Sequence, residues 1–204
     1  MKQLSAPGPV RVVVAVLLLV GCSPSASPAP SPTDTGPSAS AVVASEPAVA
    51  SEQAAATCPS EYTSSLPLTG TATVERAQIT NVQAIYTGDF ERIAFTFAEG
   101  SPDFMIESAS SPFVADPSGL PLQVDGNGFL KITLTGGSKV APDGTLTSAG
   151  PTEFYDLGYF EIVSLIEGGD FEAVSTWYAG LTEDECLYVH LLPDPSRLVI
   201  DIPH

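Results

Sequence analysis

Apolar and polar residues alternate along this chain from about Gln78 onward. In Glu91-Arg92-Ile93-Ala94-Phe95-Thr96-Phe97, the side chains of Ile93, Phe95 and Phe97 fall on one face. Phe129 to Leu134 groups Leu130, Ile132 and Leu134 in the same way. Phe160 to Ile166 is mostly apolar and reads as a central strand. Phe171–Tyr178, Leu187–Leu192 and Arg197–Ile202 continue the series, the last with Leu198, Ile200 and Ile202 inward. Turn-forming clusters separate the runs: Thr87-Gly88-Asp89, Asp125-Gly126-Asn127-Gly128, Pro142-Asp143-Gly144, Gly168-Gly169-Asp170 and Pro193-Asp194-Pro195-Ser196. No long segment has helical period and caps; the one helical expectation is a short turn of helix near Thr152 to Asp156. The pattern predicts an all-β domain, a β-sandwich or small barrel.

The tetrapeptide Gly-Asp-Phe-Glu occurs twice, at 88–91 and 169–172, each time ahead of β-branched and aromatic residues. It reads either as a duplicated hairpin unit or as recurrence of a good turn-to-strand sequence.

The pattern is different before the domain. Lys2 and Arg11 precede Val12–Val20, an unbroken apolar run too short to cross a bilayer, which takes about 20 residues. Leu19-Val20-Gly21-Cys22 follows and resembles the lipobox of bacterial lipoproteins. That resemblance implies cleavage before Cys22 and a diacylglycerol on its sulfur, and thus a domain held at the extracellular face of the cytoplasmic membrane. The rival is an ordinary secretory signal with an incidental Cys. Residues 22–57 form a Ser/Ala/Pro-rich tether that lacks the apolar side chains to offset ordering and is expected to be disordered. Its reach lies between roughly 35 Å as a coil and roughly 100 Å if extended. The chain therefore divides into a signal peptide (1–21), a tether (22–57) and a β domain (58–204).

Export puts the remaining cysteines, Cys58 and Cys186, in an oxidising compartment. A disulfide between them would close most of the domain, at an upper estimate of roughly 5 kcal/mol. A pair of buried free thiols is the alternative.

Charge narrows the partners. Seven Lys and Arg stand against 24 Asp and Glu, a net charge of −17. Such a surface repels phosphate backbones, which argues against nucleic acid, and it offers no basic patch for anionic head groups.

Four stretches carry a family likeness: GDFERIAFTF (88–97), DPSGLPLQVDGNGFLKITL (116–134), GGDFEAVSTWYAGL (168–181) and DPSRLVIDI (194–202). In order and across nearly the whole domain, they resemble the AMIN-like domain of secreted and lipid-anchored actinobacterial proteins. The resemblance implies a β-sandwich of two similar antiparallel sheets. AMIN domains proper accompany cell-wall amidases and secretins and localise them on peptidoglycan, so the resemblance also implies an envelope-binding role, by analogy. No amidase follows the domain in this sequence, so no fused enzyme is expected.

The chemistry available points the same way. His190 and His204 are the two histidines, and the sequence has no HExxH, CxxC or GxSxG motif, so neither a zinc enzyme nor a serine triad is expected. His190 should face solvent or a groove. The acid pairs Asp89/Glu91 and Asp170/Glu172 could serve glycoside hydrolysis, but Asp in a turn followed by a solvated Glu explains them more simply. Asp125–Gly128 lacks an EF-hand frame and reads as a hairpin loop; Glu183-Asp184-Glu185 reads as a solvated charge run. No metal and no cofactor is expected. Tyr155, Tyr159, Trp177 and Tyr178 are the candidate binding residues, with core packing as the rival. Trp177 and Tyr178 must lie on opposite faces of their strand, one buried and the other exposed. Arg197 is expected to pair with Asp194 or Asp201 as a structural contact. The sequence thus reads as a non-enzymatic envelope module whose partner is a wall polymer or an envelope protein. The alternatives are a small-molecule or calcium-binding lipoprotein and a carboxylate hydrolase.

Overall fold

The computed structural model describes residues 58–204. The signal peptide, the lipobox with Cys22 and the tether lie outside those residues. The described part contains strands and no helix, in 13 segments. These are β1 (Leu68–Gly70), β2 (Ala77–Tyr86), β3 (Phe90–Phe97), β4 (Asp103–Ser108), β5 (Phe113–Val114), β6 (Pro121–Leu122), β7 (Gly128–Thr135), β8 (Gly137–Ser138), β9 (Glu153–Phe154), β10 (Ile162–Phe171), β11 (Val174–Leu181), β12 (Tyr188–Pro193) and β13 (Ser196–Pro203).

Two sheets form the sandwich. One has six strands in the order β1-β4-β7-β11-β10-β9, all antiparallel. The other has five, β12-β13-β3-β2-β8, antiparallel except for the short β2–β8 pair. The alternation read from the sequence sets the faces: Ile93, Phe95, Phe97, Leu198, Ile200 and Ile202 meet Leu130, Ile132, Leu134, Leu165 and Trp177 between the sheets. All of these are 4% exposed or less. The strand pattern is borne out for β3, β7, β12 and β13.

The structure departs from the sequence reading in three places. The segment expected as a short helix holds β9, because Glu153 and Phe154 pair with Ile166 and Leu165 at the edge of the six-stranded sheet. Gly168-Gly169-Asp170 does not separate two strands. It lies inside β10 as a bulge, and the chain reverses at Glu172-Ala173, both at positive φ. The two Gly-Asp-Phe-Glu copies are consequently not equivalent: the first forms a turn and opens β3, the second ends β10 and enters its turn.

A strap covers the outer face of the six-stranded sheet. Residues 113–125, including the β5–β6 pair, lie over β7, β10 and β11, with the Phe113 ring 5.0 Å from Phe129 and 5.1 Å from Tyr178. Glycines in the sheet make room for it. A Cβ at Gly180 would fall 1.9 Å from the Asp125 carbonyl oxygen, and one at Gly169 would fall 2.0 Å from that of Asp116. The strap is tied down by the Asp116 N–H to the Gly168 carbonyl and by Ser164, whose hydroxyl donates to the Asp125 carbonyl and accepts from its N–H.

Cys58 and Cys186 form a disulfide, with Cα atoms 5.5 Å apart and a sequence separation of 128. Beside it, Thr63 and Leu187 exchange backbone hydrogen bonds, so the domain's entry segment is fastened to the start of β12.

Candidate aromatic binding platform

The only Trp is core. β11 lies between β7 and β10, and its parity points Ser175, Trp177, Ala179 and Leu181 between the sheets. Trp177 is fully buried, edge-on to Phe95 at 5.7 Å, and its indole N–H donates to the Ser175 hydroxyl. Tyr178 takes the opposite face as expected, but the strap covers it and leaves it half-buried. The expectation that one of the two is exposed is therefore corrected: the strap crosses the outer face of β11 and covers Tyr178 in part. Tyr155 is exposed at 36%, and its hydroxyl donates to the Gln123 carbonyl. Burial first, then the charges of Glu153 and Asp125, raises its pKa. No ring contact joins it to Tyr159.

Tyr159 is the member of the expected set that joins an aromatic group with exposed rings. Its ring stacks on Tyr86 at 6.0 Å and 29°, and its hydroxyl donates to the Ala84 carbonyl. Tyr86 also lies 6.0 Å from Phe160 and stacks on His204 at 5.4 Å and 14°. Phe160 and His204 meet at 5.6 Å, and His204 Nε2 donates to the Gly88 carbonyl. Phe160 is 64% exposed and Tyr86 46%. Four rings from three separate segments thus present a half-open apolar surface: the end of β2, the β9–β10 loop and the end of β13.

A buried carboxylate holds this surface in place. Glu91 is fully buried and accepts three successive backbone N–H groups, from Phe160 at 2.5 Å and from Glu161 and Ile162 at 3.0 and 2.7 Å. Three convergent amides around an anion form a nest, here filled by the protein's own side chain. The reading of Glu91 as a solvated residue is overturned, since it shares parity with Ile93 and Phe95 and must point inward. Asp170 is likewise engaged, by the Ser138 hydroxyl and the Lys139 N–H. Each acid pair therefore has one carboxylate already bound.

Arg197 pairs with neither expected acid. Asp201 is taken by Arg92, which donates from Nε at 2.6 Å and from its second guanidinium nitrogen at 2.8 Å, and this hydrogen bond raises the Arg92 pKa. Register explains the exchange. Asp201 lies directly opposite Arg92 across the β13–β3 ladder, whereas Arg197 is four residues away along the strand, roughly 13 Å. Asp194 is an exposed turn residue, and Arg197 Nε is buried without a hydrogen-bond partner. His190 stacks on Tyr188 at 4.6 Å, with Nδ1 4.0 Å from Asp201, beyond hydrogen-bond reach. Among the described residues no three His, Cys, Asp or Glu side chains converge as a metal-ligand group.

The sequence model of the AMIN-like domain matches residues 77–204, from the start of β2 through His204. The chain belongs to the AMIN-like domain family. No curated protein and no solved structure matches it. Membership places this AMIN-like domain among cell-wall or envelope-associated binding modules. The matched span contains every residue of the platform and its Glu91 clamp, and β1 with the disulfide-bearing entry segment lies before it. Sequence alternation does not bring Tyr86, Phe160 and His204 together as a group, and it reads Glu91 as solvated. The charged residue on an otherwise apolar face of β3 was the signal available for the last of these; the ring cluster depends on three distant segments and left none.

Proposed function

We propose that this AMIN-like domain is a non-enzymatic, lipid-anchored module of the cell envelope that binds wall glycan on the Tyr86–Tyr159–Phe160–His204 platform. The observation that carries the reading is the exposure of Phe160, on a loop clamped from beneath by Glu91, beside the exposed ring of Tyr86 at the end of β2. Exposed rings held at fixed angles suit the apolar face of a sugar, and prior ordering of the loop lowers the entropy lost on binding. The net charge of −17 favours a neutral glycan over an anionic polymer. The lipid on Cys22 supplies retention, so a modest affinity at the platform is sufficient. Co-sedimentation with purified peptidoglycan tests the proposal. The wild-type chain should pellet, and Phe160→Ala should weaken pelleting by about fivefold, the scale of one lost aromatic contact. Equal pelleting of the variant would move the site elsewhere, and no pelleting of the wild type would end the glycan reading.

A further inference from the structure

β12 is an edge strand of the five-stranded sheet, and among the described residues the backbone pairing on its free side is that of Thr63 with Leu187, just ahead of the strand. Leu187 exchanges its N–H and C=O with Thr63, so these groups point away from β13. In an antiparallel strand alternate residues face the same way. Val189 and Leu191 therefore direct their N–H and C=O groups outward as well, and neither has a backbone partner among the described residues.

The flank of this edge is shaped. Side chains at 187, 189 and 191 share the core-facing side, and their cover thins along the strand: Leu187 is 1% exposed and Leu191 43%. The opposing edge strand, β1, has three residues and cannot close the gap. Two cavities result, one at each end of β12. The first, about 230 Å³, is lined by Leu68, Phe104, Val189 and Glu61 among others. The second, about 400 Å³, is lined by Leu191, Pro193, Thr73 and Ser101 among others. Edge strands in soluble proteins usually carry Lys, inward charges or bulges that stop pairing. Tyr188-Val189-His190-Leu191-Leu192 has none of these; Pro193 ends it.

We propose that β12 is a docking edge for an extended segment of another protein, which adds to the sheet as a further strand. The two outward N–H and C=O pairs would carry its backbone, and the two cavities would take alternate side chains. The occupant is a strand of small apolar residues at every second position with at least one Lys or Arg. The strong negative charge of the chain and Glu61 at the first cavity require that cation, and they set a second copy of the same chain against itself. This edge shares no residue with the aromatic platform, so the two sites stand or fall separately.

Phage-displayed random peptides selected on the full chain supply the test. Enriched sequences should alternate apolar residues and carry Lys or Arg. They should bind Leu191→Pro at least about tenfold more weakly, because that change removes an outward N–H and leaves the β12–β13 bonds intact. They should bind Phe160→Ala unchanged, and the bound peptide should slow hydrogen exchange at the Val189 and Leu191 amides. If Leu191→Pro does not unfold cooperatively in urea, Leu191→Lys keeps the backbone donor and blocks the cavity instead. The proposal is overturned by an absence of enrichment, or by equal binding to the folded variant. It is also overturned if the Val189 and Leu191 amides are already protected in the free chain, or if the free chain is a dimer that the variant dissolves. Those last two results would give the edge to this chain's own segment or to a second copy.

Discussion

At the residue scale, Glu91 determines whether the platform exists. Its side chain receives the amides of Phe160, Glu161 and Ile162, and hydrogen bonds to a charged group contribute about 1.5–3 kcal/mol each before coupling. Glu91→Ala leaves three N–H groups without their acceptor and should cost roughly 3–5 kcal/mol in urea unfolding, while Glu91→Gln should cost less. A loss under about 1 kcal/mol for the alanine variant would show that water replaces the carboxylate. A second acid, Glu185, sits among other carboxylates. Burial, followed by a hydrogen bond to Glu161 and the charges of Glu161, Glu183 and Asp184, pushes the Glu185 pKa up to about 8. The folded chain then holds a proton that the unfolded chain releases above its ordinary value of 4.5, so stability falls as pH rises from there to about 8. Glu185→Gln should gain about 1 kcal/mol at pH 9, after allowance for solvent screening, and nothing at pH 4. A gain equal at both pH values would contradict the assignment. Of these two residues, the inward parity of Glu91 was legible in the sequence. The Glu185 environment was not: a run of three acids looks solvated until Glu161 arrives from the β9–β10 loop.

At the scale of elements, alternation located the strands because each sheet has one face in the core. It failed where an outer face is covered. Tyr178 lies under the strap, and nothing local to β11 announces a segment that starts more than 50 residues earlier. The glycines were the available sign, but Gly168-Gly169 read as a turn because a bulge and a turn use the same residue. Their role is steric, and the test follows from it. Gly180→Ala drives a methyl into the Asp125 carbonyl and should lower stability by roughly 2–3 kcal/mol, measured as the urea midpoint, with Tyr178 becoming more exposed. A change within about 0.5 kcal/mol would mean that the strap yields easily. The Arg92–Asp201 pair teaches the same lesson: cross-strand register outranks neighbourhood in sequence, and register is a property of β13 and β3 taken together.

At the scale of the whole molecule, the Cys58–Cys186 disulfide fastens the segment that leads in from residue 58 to the far end of the domain. Because it closes a 128-residue separation, reduction should lower stability by up to roughly 5 kcal/mol. A chevron or urea curve unchanged by reductant would contradict that. Fold class and this pairing could be anticipated from composition and spacing, since they depend on compartment and periodicity. The platform could not, because Tyr86, Phe160 and His204 meet only when the sandwich is closed. The central claim is that these rings hold a wall sugar. Its most direct test is a titration of soluble, uncharged peptidoglycan glycan fragments into the chain, followed by NMR of the Tyr86, Phe160 and His204 ring resonances. Those three should shift together and saturably, with little dependence on salt, while the buried Trp177 indole stays still. Shifts confined to other residues, or none at all, would contradict the claim.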